Sequence, residues 1–134
     1  PMVEINAYSK AKDGGKKLSA NFTVKEFACK DGSDAVLTAP RLVMVLQSIR
    51  SHFAAPVVIH SAYRTPQYNA KVGGAAHSQH CYGTAADISV KGQTPATVAA
   101  YARQLMPDWG GVGVYARQGF THIDVRETRA DWTG

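Results

Sequence analysis

The stretch HSQHCYGTAADI, residues 77–88, sets two histidines and a carboxylate around a glycine turn, and its second half runs into small and β-branched residues. Read as a strand from Gly83, it puts Ala85, Asp87 and Ser89 on one face and Ala86 and Ile88 on the other. A second stretch, FTHIDVR at 120–126, repeats the pattern. His122 and Asp124 share one face, while Ile123 and Val125 share the other. A face that carries His and Asp cannot be packed as core unless those groups are paired. Each predicted strand therefore has an apolar side for a core and a polar side for chemistry.

Working outward, PVVIHSAY (56–63) is rich in β-branched residues and predicts a strand. GGVGVYA (110–116) predicts another, joined to FTHIDVR by a hairpin through RQG at 117–119. TAPRLVMVLQSIRSHF (38–53) predicts the main helix. Thr38 is placed to cap it, Pro40 suits its first turn, and Leu42, Val45, Leu46 and Ile49 form its apolar stripe. Thr-Pro starts predict helices in TPQYNAKVGG (65–74) and TPATVAAYARQLM (94–106). In TVKEFAC (23–29), Thr23 and Glu26 are spaced as a capping box. KAKDGGKKLSANF (10–22) reads as a loop after a short N-terminal strand. The mixed order with a terminal hairpin predicts an α+β fold, helices packed on an antiparallel sheet. We expect one domain over residues 1–134, with 1–17 as its N-terminal strand and loop.

Composition narrows the function classes. The chain has 134 residues, 45% hydrophobic and 19% charged, as in ordinary globular proteins. No apolar run approaches the roughly 18 residues that span a bilayer, so no membrane span is expected. PMVEINAYSK (1–10) has no apolar signal region, and export cannot be read from it. The net charge of +5 is diffuse, with Lys16 and Lys17 as its one small cluster. It favours polyanionic partners such as an anionic cell wall. There is no basic helix and no basic stretch interleaved with aromatics, so no nucleic-acid partner is expected. Cys29 and Cys81 are compatible with one disulfide or two free thiols.

His80 precedes the Gly83 turn and can fold back toward Asp87. With His122 this makes two imidazoles and one carboxylate, which leave a fourth position open on a tetrahedral zinc ion, the pattern of a catalytic rather than a structural site. The alternatives are plain ones. Asp87 can cap a turn, and His80 can be a solvated loop residue.

The combined motifs resemble a known family. SAYRTPQYNAKVGGAAHSQHCYGTAADI (61–88) carries a Ser-x-Tyr-Arg block ending at Arg64, the pair Gly73 and Gly74, a Ser-x-His block ending at His80 and a Gly-x-Ala-x-Asp block ending at Asp87. GFTHIDVRETRADW (119–132) carries a His-x-Asp strand with trailing Arg129 and Trp132. Together they are similar to the zinc D-alanyl-D-alanine carboxypeptidases of the peptidase M15 type. That family includes the vancomycin-resistance carboxypeptidases and several phage endolysins, and it shares its fold with the hedgehog signalling domain.

The resemblance implies zinc (Zn2+) held by His80, Asp87 and His122, and Arg64 holding a substrate carboxylate or carbonyl. It implies peptidoglycan peptides as substrate, cut at a D-amino acid bond by zinc-activated water, in a D,D-carboxypeptidase or endopeptidase. A monomer acting in the cell envelope or outside the cell is expected. The alternative is a zinc-stabilised wall-binding or protein-binding module without turnover. One departure stands out: many members carry an acidic general base three residues before the last histidine ligand, where this chain has Gly119. Asp124 is the substitute candidate, either as general base or as a group that orients His122. His77 is the next candidate. Ser78 either bonds substrate or caps the turn, and Tyr68 and Asn69 are placed to line the cleft.

Overall fold

The computed structural model describes residues 3–134; residues 1–2 of the expected domain lie outside the described residues. The N-terminal third holds β1 (Asn6–Ser9), α1 (Lys10–Asp13), β2 (Lys17–Ser19), β3 (Phe22–Thr23) and β4 (Ala35–Thr38). β1 pairs with β4 and β2 with β3, both antiparallel. The segment 10–22, expected as a loop, thus contains a helical turn and a strand pair. Ser9 starts the turn by accepting a hydrogen bond from the Lys12 N–H. The Thr23–Glu26 capping box is present and opens a 3-10 turn, Val24–Phe27.

The main helix, α2 (Pro40–Phe53), buries Leu42, Val45, Leu46 and Ile49 together with Val43. Thr38 does not cap it. Ala39 occupies the N-cap position, and Thr38 belongs to β4 with its buried Oγ1 unpartnered. α2 is followed by β5 (Val57–Ser61), α3 (Pro66–Lys71), a 3-10 turn (Gln79–Tyr82), β6 (Ala85–Val90), α4 (Pro95–Leu105), β7 (Gly111–Tyr115), β8 (Phe120–Asp124) and β9 (Ala130–Thr133). Thr65 and Thr94 cap α3 and α4 through their side chains.

Strands β5 to β9 form a five-stranded sheet in the order β5-β6-β8-β7-β9. It is antiparallel except at one edge, where β9 lies parallel to β7. The expected all-antiparallel sheet is therefore a mixed one, within the α+β class.

Period-two alternation divides the sheet as the sequence suggested. Ala86, Ile88, Ile123 and Val112 join the buried core with α2 and α4 residues such as Leu46, Ile49, Val98 and Ala102. Asp87, His122, Gly113 and Trp132 are register partners across four neighbouring strands and form one row on the opposite face. Two glycines keep that row open. A Cβ at Gly113 would overlap the Trp132 indole, and one at Gly111 would overlap the Asp124 carboxylate. GGVGVY thus places its valines toward the core and its glycines where bulky groups from β8 and β9 must approach. No helix among the described residues is long and apolar enough to cross a membrane.

Candidate metal centre

Asp87 and His122 face each other across β6 and β8, with Asp87 Oδ1 3.0 Å from His122 Nδ1. His80 arrives from the 3-10 turn that precedes β6, and its Nε2 lies 3.3 Å from Asp87 Oδ2. One ligand atom from each of the three residues lies within 4.8 Å of the others, and all three residues are buried.

The remaining ring nitrogens fix the tautomers. His80 Nδ1 is 2.7 Å from the Ala62 carbonyl, which can only accept, so Nδ1 carries a proton. In the neutral ring the His80 Nε2 lone pair then points at Asp87. His122 Nε2 is 2.8 Å from Asp124 Oδ2, so Nε2 donates there and Nδ1 is left toward Asp87. Two imidazole lone pairs and a carboxylate converge in a buried place, an arrangement that repels itself unless a cation sits among them. The donor set fits zinc, which takes histidine nitrogens and carboxylate oxygens.

Asp124 stands behind His122, not beside the open side of the site. Its side chain is 0% exposed. Its Oδ1 accepts from Arg126 Nε at 2.8 Å and its Oδ2 from Arg126 Nη2 at 2.6 Å, and the Arg126 backbone N–H adds a third bond. Burial alone would raise this carboxyl, but the bonds from His122 and Arg126 hold it well below the usual carboxylate range. The same holds for Asp87, where burial is outweighed by His122 and His80. Burial would lower the His122 ring, yet its bonds to Asp124 and Asp87 raise it. Both carboxylates favour the protonated ring, so a proton on Nδ1 competes with a cation for the place between His122 and Asp87.

That linkage has a testable sign. A raised folded pKa stabilises the metal-free fold fully below the unfolded value, about 6.5, and the contribution is lost as pH rises through the raised value. Zinc must displace the same proton from the folded protein, so zinc affinity should climb with pH throughout the range below the raised value and level off above it. Chelator competition across this range measures it, and a flat profile would contradict a histidine ligand at position 122.

The three residues lie in a cleft of about 480 Å3 that is also lined by Arg64, His77, Ser78 and Trp132. Arg64 is fixed by Ser61 Oγ at 3.0 Å, Asn69 Oδ1 at 3.2 Å and Asp87 Oδ2 at 3.5 Å. Asn69 is buried and bonds Arg64 with its oxygen and the Ala75 carbonyl with its nitrogen, so it supports the cleft from behind. Ser78 Oγ accepts from the His80 N–H and caps that turn. Tyr68 does not reach the cleft wall, contrary to the expectation from the sequence. Its place on the wall is taken by Tyr115 and Phe120, stacked at 4.5 Å. Trp132 packs on the His122 ring at 5.0 Å and donates to the Tyr115 hydroxyl at 2.8 Å. Gly119 lies in the β7–β8 turn with φ +83, a backbone state that favours glycine. The sequence reading passed over Arg126 and the aromatic wall. Arg126 lies two residues beyond Asp124, and that spacing was the available signal.

A family model described as Peptidase M15 matches residues 18–124. The chain belongs to the peptidase M15 family. No curated protein matches it. M15 peptidases are zinc-dependent hydrolases, so the buried His80, Asp87 and His122 cluster has the donors that the family requires. The matched segment contains all three of these residues along with Arg64 and Asp124, while Arg126 and Trp132 follow it. Cys29 and Cys81 are both free thiols.

Proposed function

We propose that this M15 peptidase hydrolyses peptidoglycan stem peptides or crosslinks at a D-amino acid bond, in the cell envelope or outside the cell. The observation that carries the proposal is the convergence of His80 Nε2, Asp87 and His122 Nδ1 in a cleft edged by Arg64. Bound by these three residues, zinc would supply Lewis-acid polarisation of a peptide carbonyl and a water of lowered pKa. The Ala62 carbonyl and Asp124 hold the two imidazoles in the tautomers that leave Nε2 and Nδ1 free to ligate. Arg64 offers its guanidinium to a substrate carboxylate or carbonyl oxygen, for which its planar fork is suited. The stacked Tyr115 and Phe120 rings and Trp132 wall the cleft and limit water around the reacting bond. The diffuse charge of +5 favours approach to an anionic wall.

No carboxylate other than Asp87 lines the cleft among the described residues. With Asp124 taken up by His122 and Arg126, the exposed imidazole of His77 is the proposed proton acceptor. The same observation favours a second reading, a zinc-stabilised binding module without turnover. Digestion of purified peptidoglycan with mass analysis of the products separates them. Loss of a terminal alanine or opening of a crosslink supports the peptidase. Binding with no new product supports the module.

Arg64→Ala should keep zinc while weakening substrate handling by about 2–5 kcal/mol, the usual cost of removing one partner of a buried charged contact. The kcat/KM for a peptide with a free carboxylate measures this, and an unchanged value would remove Arg64 from substrate binding.

A further inference from the structure

Another pocket, of about 500 Å3, lies between α2 and the small N-terminal strands and shares no lining residue with the metal cleft. Its size is within the range of about 300–1,000 Å3 that ligand pockets occupy. Two sequence periodicities build it. On α2, Pro40, Met44, Gln47, Ser48 and Ser51 recur at helical spacing, on a stripe separate from the Leu42, Val45, Leu46 and Ile49 stripe that faces the core. On β1, Asn6 and Tyr8 are two apart and share a face.

No charged side chain lines this pocket, although 19% of the chain is charged. Lys16 lies over the Tyr8 ring at 5.5 Å but is not part of the lining. An ionised ligand group would find no partner here and would be costly to enclose, so the fitting ligand is neutral. The polar groups present are hydroxyls and amides with bonding capacity left. Asn6 donates its nitrogen to the Tyr8 hydroxyl at 3.4 Å, which leaves the Asn6 oxygen to accept and the Tyr8 O–H to donate. Ser51 Oγ accepts from Gln47 at 3.3 Å and keeps its own proton. Thr38, also in the lining, is 2% exposed, and its Oγ1 is the one buried side-chain polar atom without a partner among the described residues. Such an atom is ordinarily satisfied. Gln47 has a framing part. Its oxygen accepts from Ser19 Oγ at 2.6 Å and the Asn21 N–H at 3.0 Å, and its nitrogen donates to Asn21 at 2.8 Å. It thereby ties the β2–β3 turn to α2 and shapes the pocket in advance of a ligand. Leu18, Val43 and Met44 supply aliphatic surface between these polar groups. Hydroxyls and amides set among aliphatic patches match a sugar ring, which carries hydroxyls at its edge and C–H groups on its faces. The free acceptor of Asn6 beside the free donor of Tyr8 matches the N–H and C=O of an acetamido group, whose methyl suits the aliphatic patch.

We propose that this pocket binds a neutral oligosaccharide of N-acetylated sugars. The proposal goes beyond the peptidase reading and does not depend on it, since the two sites have no residue in common. The test titrates the isotope-labelled full chain with three trisaccharides, followed by nuclear magnetic resonance. They are triacetylchitotriose; cellotriose, with hydroxyls in place of the acetamido groups; and deacetylated chitotriose, whose amines are cationic. Triacetylchitotriose should shift the backbone amides of Tyr8, Ser19, Met44 and Ser48 saturably. The other two should bind about tenfold more weakly, the step that about 1.4 kcal/mol gives. Ser48→Leu fills the pocket from a half-buried helix position and should abolish the shifts. Ser51→Ala removes one donor at an exposed position and should weaken binding by about two- to tenfold, as for one hydrogen bond. Circular dichroism checks that both variants are folded. No saturable shift, shifts centred on the metal cleft, equal binding of all three sugars, or binding that survives Ser48→Leu in a folded protein would each overturn the proposal.

Discussion

His122→Ala protein should leave gentle purification without zinc and without hydrolase activity. The substitution removes one of the three donors that converge at the site. Loss of a group that merely supports a ligand costs about 10- to 100-fold in metal affinity, and loss of the ligand itself should exceed that. The fold should persist, for two reasons. Asp124 keeps its paired bonds to Arg126, so no buried carboxylate is left without a partner. The core formed by Ile88, Ile123 and Val112 lies on the other face of the sheet. Elemental analysis and far-ultraviolet circular dichroism of the same sample measure both points. Full zinc in a folded His122→Ala protein would sink the ligand assignment.

Asp124→Asn distinguishes an orienting group from a base. The Asn oxygen can still accept from His122 Nε2, but the charge that favours this tautomer is gone and Arg126 loses its paired carboxylate. As an orienting group, Asp124 should lose about 10- to 100-fold in zinc affinity when changed to Asn. Turnover per bound zinc should then stay close to that of the unaltered protein. A general base would behave in the opposite way, with zinc retained and turnover down by about 10²–10⁴-fold. That second pattern is expected instead for His77→Ala, whose ring is exposed in the cleft. Metal affinity and turnover measured on both variants give a crossed result if the assignment is right. Zinc-replete Asp124→Asn with collapsed turnover would return the base to Asp124.

The metal centre was more legible in the sequence than the substrate cleft, for a physical reason. Strand alternation alone puts His122 with Asp124 and separates both from Ile123, and the pairing of β6 with β8 then brings Asp87 opposite His122. Alternation says nothing about depth. A step of two strand residues carries Asp124 roughly 7 Å along the strand, where Arg126 folds back and closes over it. That contact depends on a side-chain path that no pattern encodes. The parallel pairing of β9 was hidden similarly. Ala130–Thr133 alternates, but over four residues only, too brief a run to mark a strand, and it finds its place because β7 offers an open edge with Gly113 facing Trp132. Tyr68 was misplaced because α3 spans only Pro66–Lys71, too short for its sequence to define which face meets the cleft. Thr38 looked like a cap because it precedes Pro40, yet its backbone was already committed to β1 through Asn6.

The central claim is that His80, Asp87 and His122 together hold one metal ion on which peptide hydrolysis depends. Zinc titration of chelator-stripped protein, with hydrolysis of a purified stem peptide as the readout, tests it most directly. Activity should be absent at the start, rise linearly with added zinc and break at about one equivalent per chain, as expected for a single three-ligand site. Hydrolysis that persists in the stripped protein, or that fails to return when one equivalent is bound, would contradict the account.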